Sequence, residues 1–344
     1  MALANDIDIR TTGKAGRITL TRPEALNAMS HEMCMAIGKA LDDWADNDAV
    51  RMIIIDAEGS RSFCSGGDIG ELYRTGKEGN FDYGRTFWRD EYRINAQIKN
   101  YHKPYVAIMD GIVMGGGVGI SAHGSHRIVT ENTLFAMPEC GIGLAPDVGG
   151  NFLLSRAPGR IGEYLATTGA RLKASDCIFA GIADVFVPEA NIPELIETLE
   201  ESADLSFLDT FAKEPEPGLL ATDLETINQY FRLEDAKTIV AALENNGGEW
   251  ELEAAKLMRR NCPLSVACAV EIVRQARALK SIYDIVELEY RFTYRSMDKG
   301  DFIEGIRAQI IDKDRKPNWK TPRLEDVTDK EIAEMLEPLE RGVF

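Results

Sequence analysis

Two carboxylates stand in a stretch with little else that is polar. The segment FAMPECGIGLAPDVGG, residues 135–150, holds Glu139 and Asp147 among apolar residues and glycines. Burial in such surroundings disfavours the charged form and moves a carboxyl pKa towards neutrality, the range a general acid or base needs. Capping of a neighbouring helix is the plain alternative for either residue, above all for Asp147, which precedes Val148, Gly149 and Gly150.

Two glycine-rich segments lie upstream. DGIVMGGGVGISA, residues 110–122, follows an apolar run and consists of residues small enough for a backbone to approach a ligand closely. A helix beginning near Gly116 would aim unspent N–H groups at whatever sits there. Three consecutive glycines are costly inside a helix, so either tight packing or a ligand must require them. FCSGGDI, residues 63–69, reads as a turn with an exposed backbone N–H, with Asp68 equally able to cap a helix. Paired with glycines 115–117, this turn could supply the second donor of an oxyanion hole. Gly117, Gly119 and Ala122 also fit a loose dinucleotide fingerprint. Its acidic partner is missing, because Glu131 comes too early and the next strand runs out into Met137, Pro138 and Glu139.

The elements that position these residues follow from periodicity. Residues 17–20 predict a short strand, and Ser30 opens a helix to about Ala45 with Met33, Ile37, Leu41 and Trp44 at helical spacing. Residues 52–55 and 106–109 are β-branched apolar runs of the kind buried on both faces of a sheet. Residues 75–84, rich in glycine and charge, read as a mobile loop able to act as a lid. Strands are expected at 127–130 and 133–136, separated by a turn at Glu131 and Asn132, and at 184–187 after a helix that stops at Gly181. Asn191, with Glu194 three residues on, predicts a capped helix. The C-terminal third is helical, over about 249–260, 263–279, 282–297 and 301–311, with Pro263 at a helix start. The fold class is α/β.

The chain has 344 residues, 44% of them hydrophobic, and a formal charge of −17. That charge argues against nucleic acid or an anionic membrane as partner, since both require clustered Lys and Arg. No apolar run approaches the roughly 20 residues that span a bilayer. Six cysteines are scattered without a CxxC pair, which suits buried free thiols in a reducing compartment better than zinc or disulfides. The N-terminal MALANDIDIRTTGKAG has neither an apolar signal core nor Arg-rich transit character, so a cytoplasmic protein is expected.

Laid in order, TRPEALNAM (21–29), FCSGGDI, FWRDEYRIN (87–95), KPYVAIMDGIVMGGGVGIS (103–121), FAMPECGIGLAPDVGG and DFIEGIRAQIIDKDRKPNW (301–319) resemble the crotonase (enoyl-CoA hydratase/isomerase) superfamily. They look most like its 3-hydroxyisobutyryl-CoA hydrolase branch. The resemblance implies a ββα spiral core with an acyl-CoA site over residues 1–200. It implies a helical region over 201–344 packed on that core, in a trimer, a multiple of it, or a monomer. It assigns the oxyanion-hole N–H groups to Gly67 and Gly116, the border of the adenine to Gly67, Asp68 and Ile69, and the lining of the acyl pocket to Glu91. Glu139 becomes the catalytic carboxylate and Asp147 its partner near the acyl 3-hydroxyl. No cofactor or metal is implied, coenzyme A being part of the substrate. Arg22 and Lys103 are candidate partners for its phosphates, solvation being the ordinary alternative. Hydratases of this pattern carry a second catalytic Glu three positions after the central glycine of the triplet, and that place here is Gly119. The implied reaction is therefore hydrolysis of a short 3-hydroxyacyl-CoA from valine breakdown. An isomerase, or a hydratase, using Glu139 is the alternative, and a non-catalytic acyl-CoA binder or an NAD-dependent oxidoreductase is a remote one.

Overall fold

Strands in the first part of the chain alternate between two sheets. The computed structural model describes residues 6–344, so residues 1–5 of the N-terminal segment read above lie outside them. Strands β1 (Ile7–Thr12) and β2 (Ala15–Leu20) form an antiparallel pair with Ile7 opposite Leu20. Parallel to β2 follow β3 (Met52–Ala57), β5 (Tyr105–Met109), β7 (His126–Val129) and β9 (Val185–Phe186), giving the order β1-β2-β3-β5-β7-β9. A second sheet takes the short strands between them: β4 (Ser62–Cys64), β6 (Ile112–Met114) and β8 (Leu134–Ala136). From β3 to β9 each turn of the chain thus lays one strand in the large sheet and the next in the small one. The expected strands at 127–130 and 133–136 both form, but they enter different sheets. Leu134 N–H donates to Gly111 carbonyl instead of closing a hairpin.

The near-continuous burial of β3 and β5 follows from cover on both faces. On one face Ile54, Val106, Ile108 and Ile128 pack with Ile192, Leu195 and Leu199 of helix Ile192–Ser202. Helix α1 (His31–Ala45) buries the stripe Met33, Ile37, Leu41 and Trp44, and Ser30 Oγ accepts from Met33 N–H at its start. Trp44 lies so close to β2 that a β-carbon at Gly16 would come within 2.6 Å of its ring. Asn191 departs from expectation. It ends a 3-10 turn with helical backbone angles, so its side chain makes no cap bond.

These strands belong to one of two compact units, formed by the described residues up to Asp68 with Asp90–Phe135 and Arg171–Ala221. The other joins Ile69–Arg89, Ala136–Ala170 and Thr222–Phe344. Within it, the expected lid at 75–84 is not a loop. Helix α2 (Ile69–Lys77) and helix α3 (Phe81–Lys99) leave only residues 78–80 between them. Two of the three glycines there are packing residues: a β-carbon at Gly76 would collide with Ile303, and one at Gly84 would lie 2.6 Å from Met297 Cε, whereas Gly79, at φ 78°, makes the short connection between the helices. Composition misleads here because a glycine demanded by close helix packing looks the same in sequence as one demanded by a turn.

The predicted C-terminal helices form at Glu249–Arg259, Pro263–Ala276, Ile282–Ser296 and Phe302–Ile306, the last running on into a π-helical turn at Arg307–Ile311. Helices Leu220–Phe231, Ala236–Asn246 and Asp329–Leu336 are additional. Pro263–Ala276 is buried on nearly every side, as a central helix must be.

Candidate active site

In the first unit, β4 and β6 deliver two glycine turns to one place. After β4 the chain turns at Gly66, whose φ of 120° suits glycine alone. Met29 N–H donates to Gly66 carbonyl (2.9 Å) and Asp68 N–H to Met29 carbonyl (2.8 Å), which pins the turn as an extra rung of strand. The N–H of Gly67 falls between these two bonds and, among the described residues, has no acceptor. After β6, Gly115 turns with φ 49° into the short helix α4 (Gly116–Ser121), whose first N–H, that of Gly116, is likewise unspent. A β-carbon at Gly116 would lie 3.3 Å from Gly67 N, 3.1 Å from Met29 Cε and 2.7 Å from Glu91 Oε1. Gly67, Gly116 and the buried Glu91 of α3 therefore meet around one small space. Two such N–H groups can hold an oxygen on which negative charge develops.

The triplet divides its work. Gly115 makes the turn, Gly116 keeps the space beside Gly67 open, and Gly117 permits contact, since a β-carbon there would collide with Cys64 carbonyl oxygen. Close packing thus requires glycine at 117, and the space beside Gly67 stays open because 116 is glycine.

Other expected binding residues are engaged within the fold. Asp68 takes the Arg22 guanidinium at 2.8 Å, and Arg22 is raised by that hydrogen bond. Lys103 Nζ donates to the carbonyls of Trp44 (2.5 Å) and Asn47 (2.8 Å), closing the C-terminal end of α1. Ile69 is the first residue of α2.

In the second unit, Glu139 opens a 3-10 turn, Glu139–Ile142, straight after Pro138. Its side chain is buried, and Oε2 has no hydrogen-bond partner among the described residues. Loss of hydration pushes its pKa well above the usual carboxylate range, and the negative charges of Asp147 and then Glu289 push it further. Asp147, 4% exposed, is followed by Val148 with φ 54° and Gly149 with φ 73°.

Glu289, on helix Ile282–Ser296, is the residue that sequence reasoning missed. It is 1% exposed and accepts from Gly149 N–H (2.7 Å), Asn151 N–H (3.0 Å) and Asn151 Nδ2 (2.9 Å). Burial raises its pKa to about 8, the Asn151 and Gly149 donors hold it back, and Asp147 adds to the rise. A signal existed: Glu289 falls at helical spacing from Ile285, Phe292 and Ser296, on the buried stripe of its helix. Both expected carboxylates, Glu139 and Asp147, thus lie in one buried acidic cluster with it. Such a cluster retains protons to unusually high pH and suits acid–base or nucleophilic work on a substrate.

Residues 15–336 match the family described as Enoyl-CoA hydratase/isomerase. The chain belongs to this family. Among its curated relatives, the mitochondrial 3-hydroxyisobutyryl-CoA hydrolase of Gallus gallus is 39% identical, the alignment covering 98% of this chain and 90% of the relative. A probable 3-hydroxyisobutyryl-CoA hydrolase of Arabidopsis thaliana is 35% identical, with 99% and 93% covered. Among solved structures, an enoyl-CoA hydratase from Rhodobacter sphaeroides superposes with TM-score 0.93 at 46% identity over 97% of this chain and 98% of that one. A carnitinyl-CoA dehydratase from Mycobacterium thermoresistibile gives 0.95 at 38%, with 99% of both chains covered. The α/β crotonase fold with a helical C-terminal region, expected from the motifs, is the fold observed. The cytoplasmic expectation is corrected: several full-length vertebrate relatives in the family are named mitochondrial.

Proposed function

We propose that this member of the enoyl-CoA hydratase/isomerase family hydrolyses a short 3-hydroxyacyl-CoA thioester, 3-hydroxyisobutyryl-CoA first of all, to the free 3-hydroxy acid and CoA. The observation that carries this reading is the acid inventory: Glu139 and Asp147 are buried together, while Gly119, in α4, offers no carboxylate. The curated relatives named for this hydrolysis support it, at 35–40% identity over nearly their whole length.

In the mechanism we infer, the thioester oxygen accepts from the N–H groups of Gly67 and Gly116, and Glu91 lines the acyl pocket. Gly67, Asp68 and Ile69 border the adenine. Glu139, as carboxylate, either takes a proton from water as that water attacks the carbonyl carbon or attacks it directly to give a mixed anhydride that water then opens. The C–S bond breaks, the sulfur leaves with a proton, and Asp147 orients the 3-hydroxyl and assists proton transfer. The reaction balances with water as its only co-reactant. Loss of one oxyanion donor is expected to cost roughly 3 kcal/mol of transition-state stabilisation.

A second reading is favoured by the solved relatives, which are named as a hydratase and a dehydratase. Addition of water to a double bond uses two carboxylates, and Gly119 stands where the second would be. An isomerase needs only Glu139 but no acid at Asp147. The deciding experiment follows release of free CoA thiol from 3-hydroxyisobutyryl-CoA, 3-hydroxypropionyl-CoA and acetyl-CoA, beside 3-enoyl-CoA isomerisation and enoyl-CoA hydration. Fast thiol release that collapses in Glu139→Gln is the expected result. A shifted or hydrated double bond without thiol release would overturn the hydrolase reading.

A further inference from the structure

Asp147 sits in a turn that its own backbone does not favour. Val148 has φ 54°, a left-handed conformation that is strained for a β-branched residue, and Gly149 follows at φ 73°. Gly150 N–H donates to Asp147 carbonyl at 2.7 Å and closes the turn. A further restraint comes from far along the chain. Glu289 presents both carboxylate oxygens to the turn, Oε2 to Gly149 N–H and Oε1 to the backbone and side-chain N–H groups of Asn151. Asn151 Nδ2 also donates to Pro146 carbonyl at 2.7 Å, so the same clamp grips the chain on both sides of Asp147.

We propose that Glu289 is a positioning residue for the reaction: it holds the strained turn of residues 146–151 so that the Asp147 carboxylate keeps its orientation within electrostatic reach of Glu139. This rests on the reading of Asp147 as a residue that acts on the substrate. The partners of Glu289 in this clamp are N–H groups of one turn rather than a cation. A buried carboxylate held in this way is a costly means of packing and persists where a defined geometry depends on it. Both oxygens are engaged by the turn, which separates Glu289 from Glu139, whose Oε2 is not. Glutamine cannot replace the ionised form, which these three N–H donors favour against burial, because an amide has one acceptor oxygen and its NH₂ would face the N–H of Gly149 or of Asn151, donor against donor.

The test is a double-mutant cycle on the full chain, read as CoA thiol release from 3-hydroxyisobutyryl-CoA. Glu289→Gln is expected to lower kcat by roughly 30-fold with KM changed less than about threefold, in line with the cost of misplacing a catalytic group by about an ångström. In an Asp147→Asn background the same substitution is expected to have almost no further effect, since a residue acting only through Asp147 has nothing left to position. Independent, multiplying losses in the double variant would overturn the proposal, and so would an unchanged kcat in Glu289→Gln when Asp147→Asn is impaired. An Asp147→Asn enzyme at the wild-type rate would instead overturn the catalytic reading of Asp147, and the proposal with it. Should Glu289→Gln fail to fold, Asn151→Ala removes one of the three donors while keeping the backbone N–H. It is expected to lower kcat less, again without effect in the Asp147→Asn background, and multiplying losses there would count against the proposal.

Discussion

Among the described residues, Glu139 keeps one carboxylate oxygen buried without a partner, a costly arrangement unless a substrate or a proton supplies the missing contact. If it is the base or nucleophile, Glu139→Gln should lower thiol release by about 10³-fold or more, measured at saturating substrate. Its raised pKa also dictates a pH dependence. The carboxylate must be ionised to act, so kcat/KM should rise with pH through an acid limb belonging to the coupled carboxylates. Asp147→Asn removes the neighbouring negative charge and should move that limb to lower pH in whatever activity remains; an upward shift would contradict the coupling. The stability consequence has the opposite sense. A carboxyl whose folded pKa lies above its unfolded value stabilises the fold at acid pH and loses that contribution as pH rises through the folded value. Thermal melts should therefore show Glu139→Gln gaining on the wild type as pH rises above the usual carboxylate range, and a constant difference across that rise would contradict the raised pKa.

At the scale of elements, the glycines of α2, α3 and α4 set how closely helices approach their neighbours. Gly117→Ala would drive a methyl group into the backbone carbonyl of Cys64, which cannot move without shifting β4, and should cost roughly 1–3 kcal/mol in chemical denaturation. Gly76→Ala meets the flexible end of the Ile303 side chain and should cost less. If the order is reversed, the close approach of α4 to β4 is not what requires glycine at 117. The same glycines mark the boundary of what was legible. Strands β3 and β5 and helix α1 were readable because long apolar runs and a clean stripe carry their own signal. Strands β4 and β6, three residues each, are too short to show a period, and Gly76 and Gly84 were misread as loop because the partner that requires them lies more than 200 residues away.

For the molecule as a whole, all six cysteines are buried, and burial pushes each thiol up, Cys64 and Cys262 to about 12. The native protein should therefore react with a thiol reagent negligibly over the time in which all six sites are modified after denaturation, and a fast native site would contradict this burial. The sequence by itself determined the alternation of strand and helix, the helical C-terminal third and the glycine and carboxylate motifs in their order. Each of these is written in residues adjacent along the chain, where spacing and side-chain chemistry act locally. Tertiary structure alone decided that Gly67, Gly116 and Glu91 share one space. It also decided that Arg22 and Lys103 are engaged by Asp68 and by the end of α1, and that Glu289 clamps the turn carrying Asp147. Those pairings depend on which distant segments are packed together. A carboxylate that meets its donors 138 residues away is indistinguishable, until the chain folds, from one that faces water.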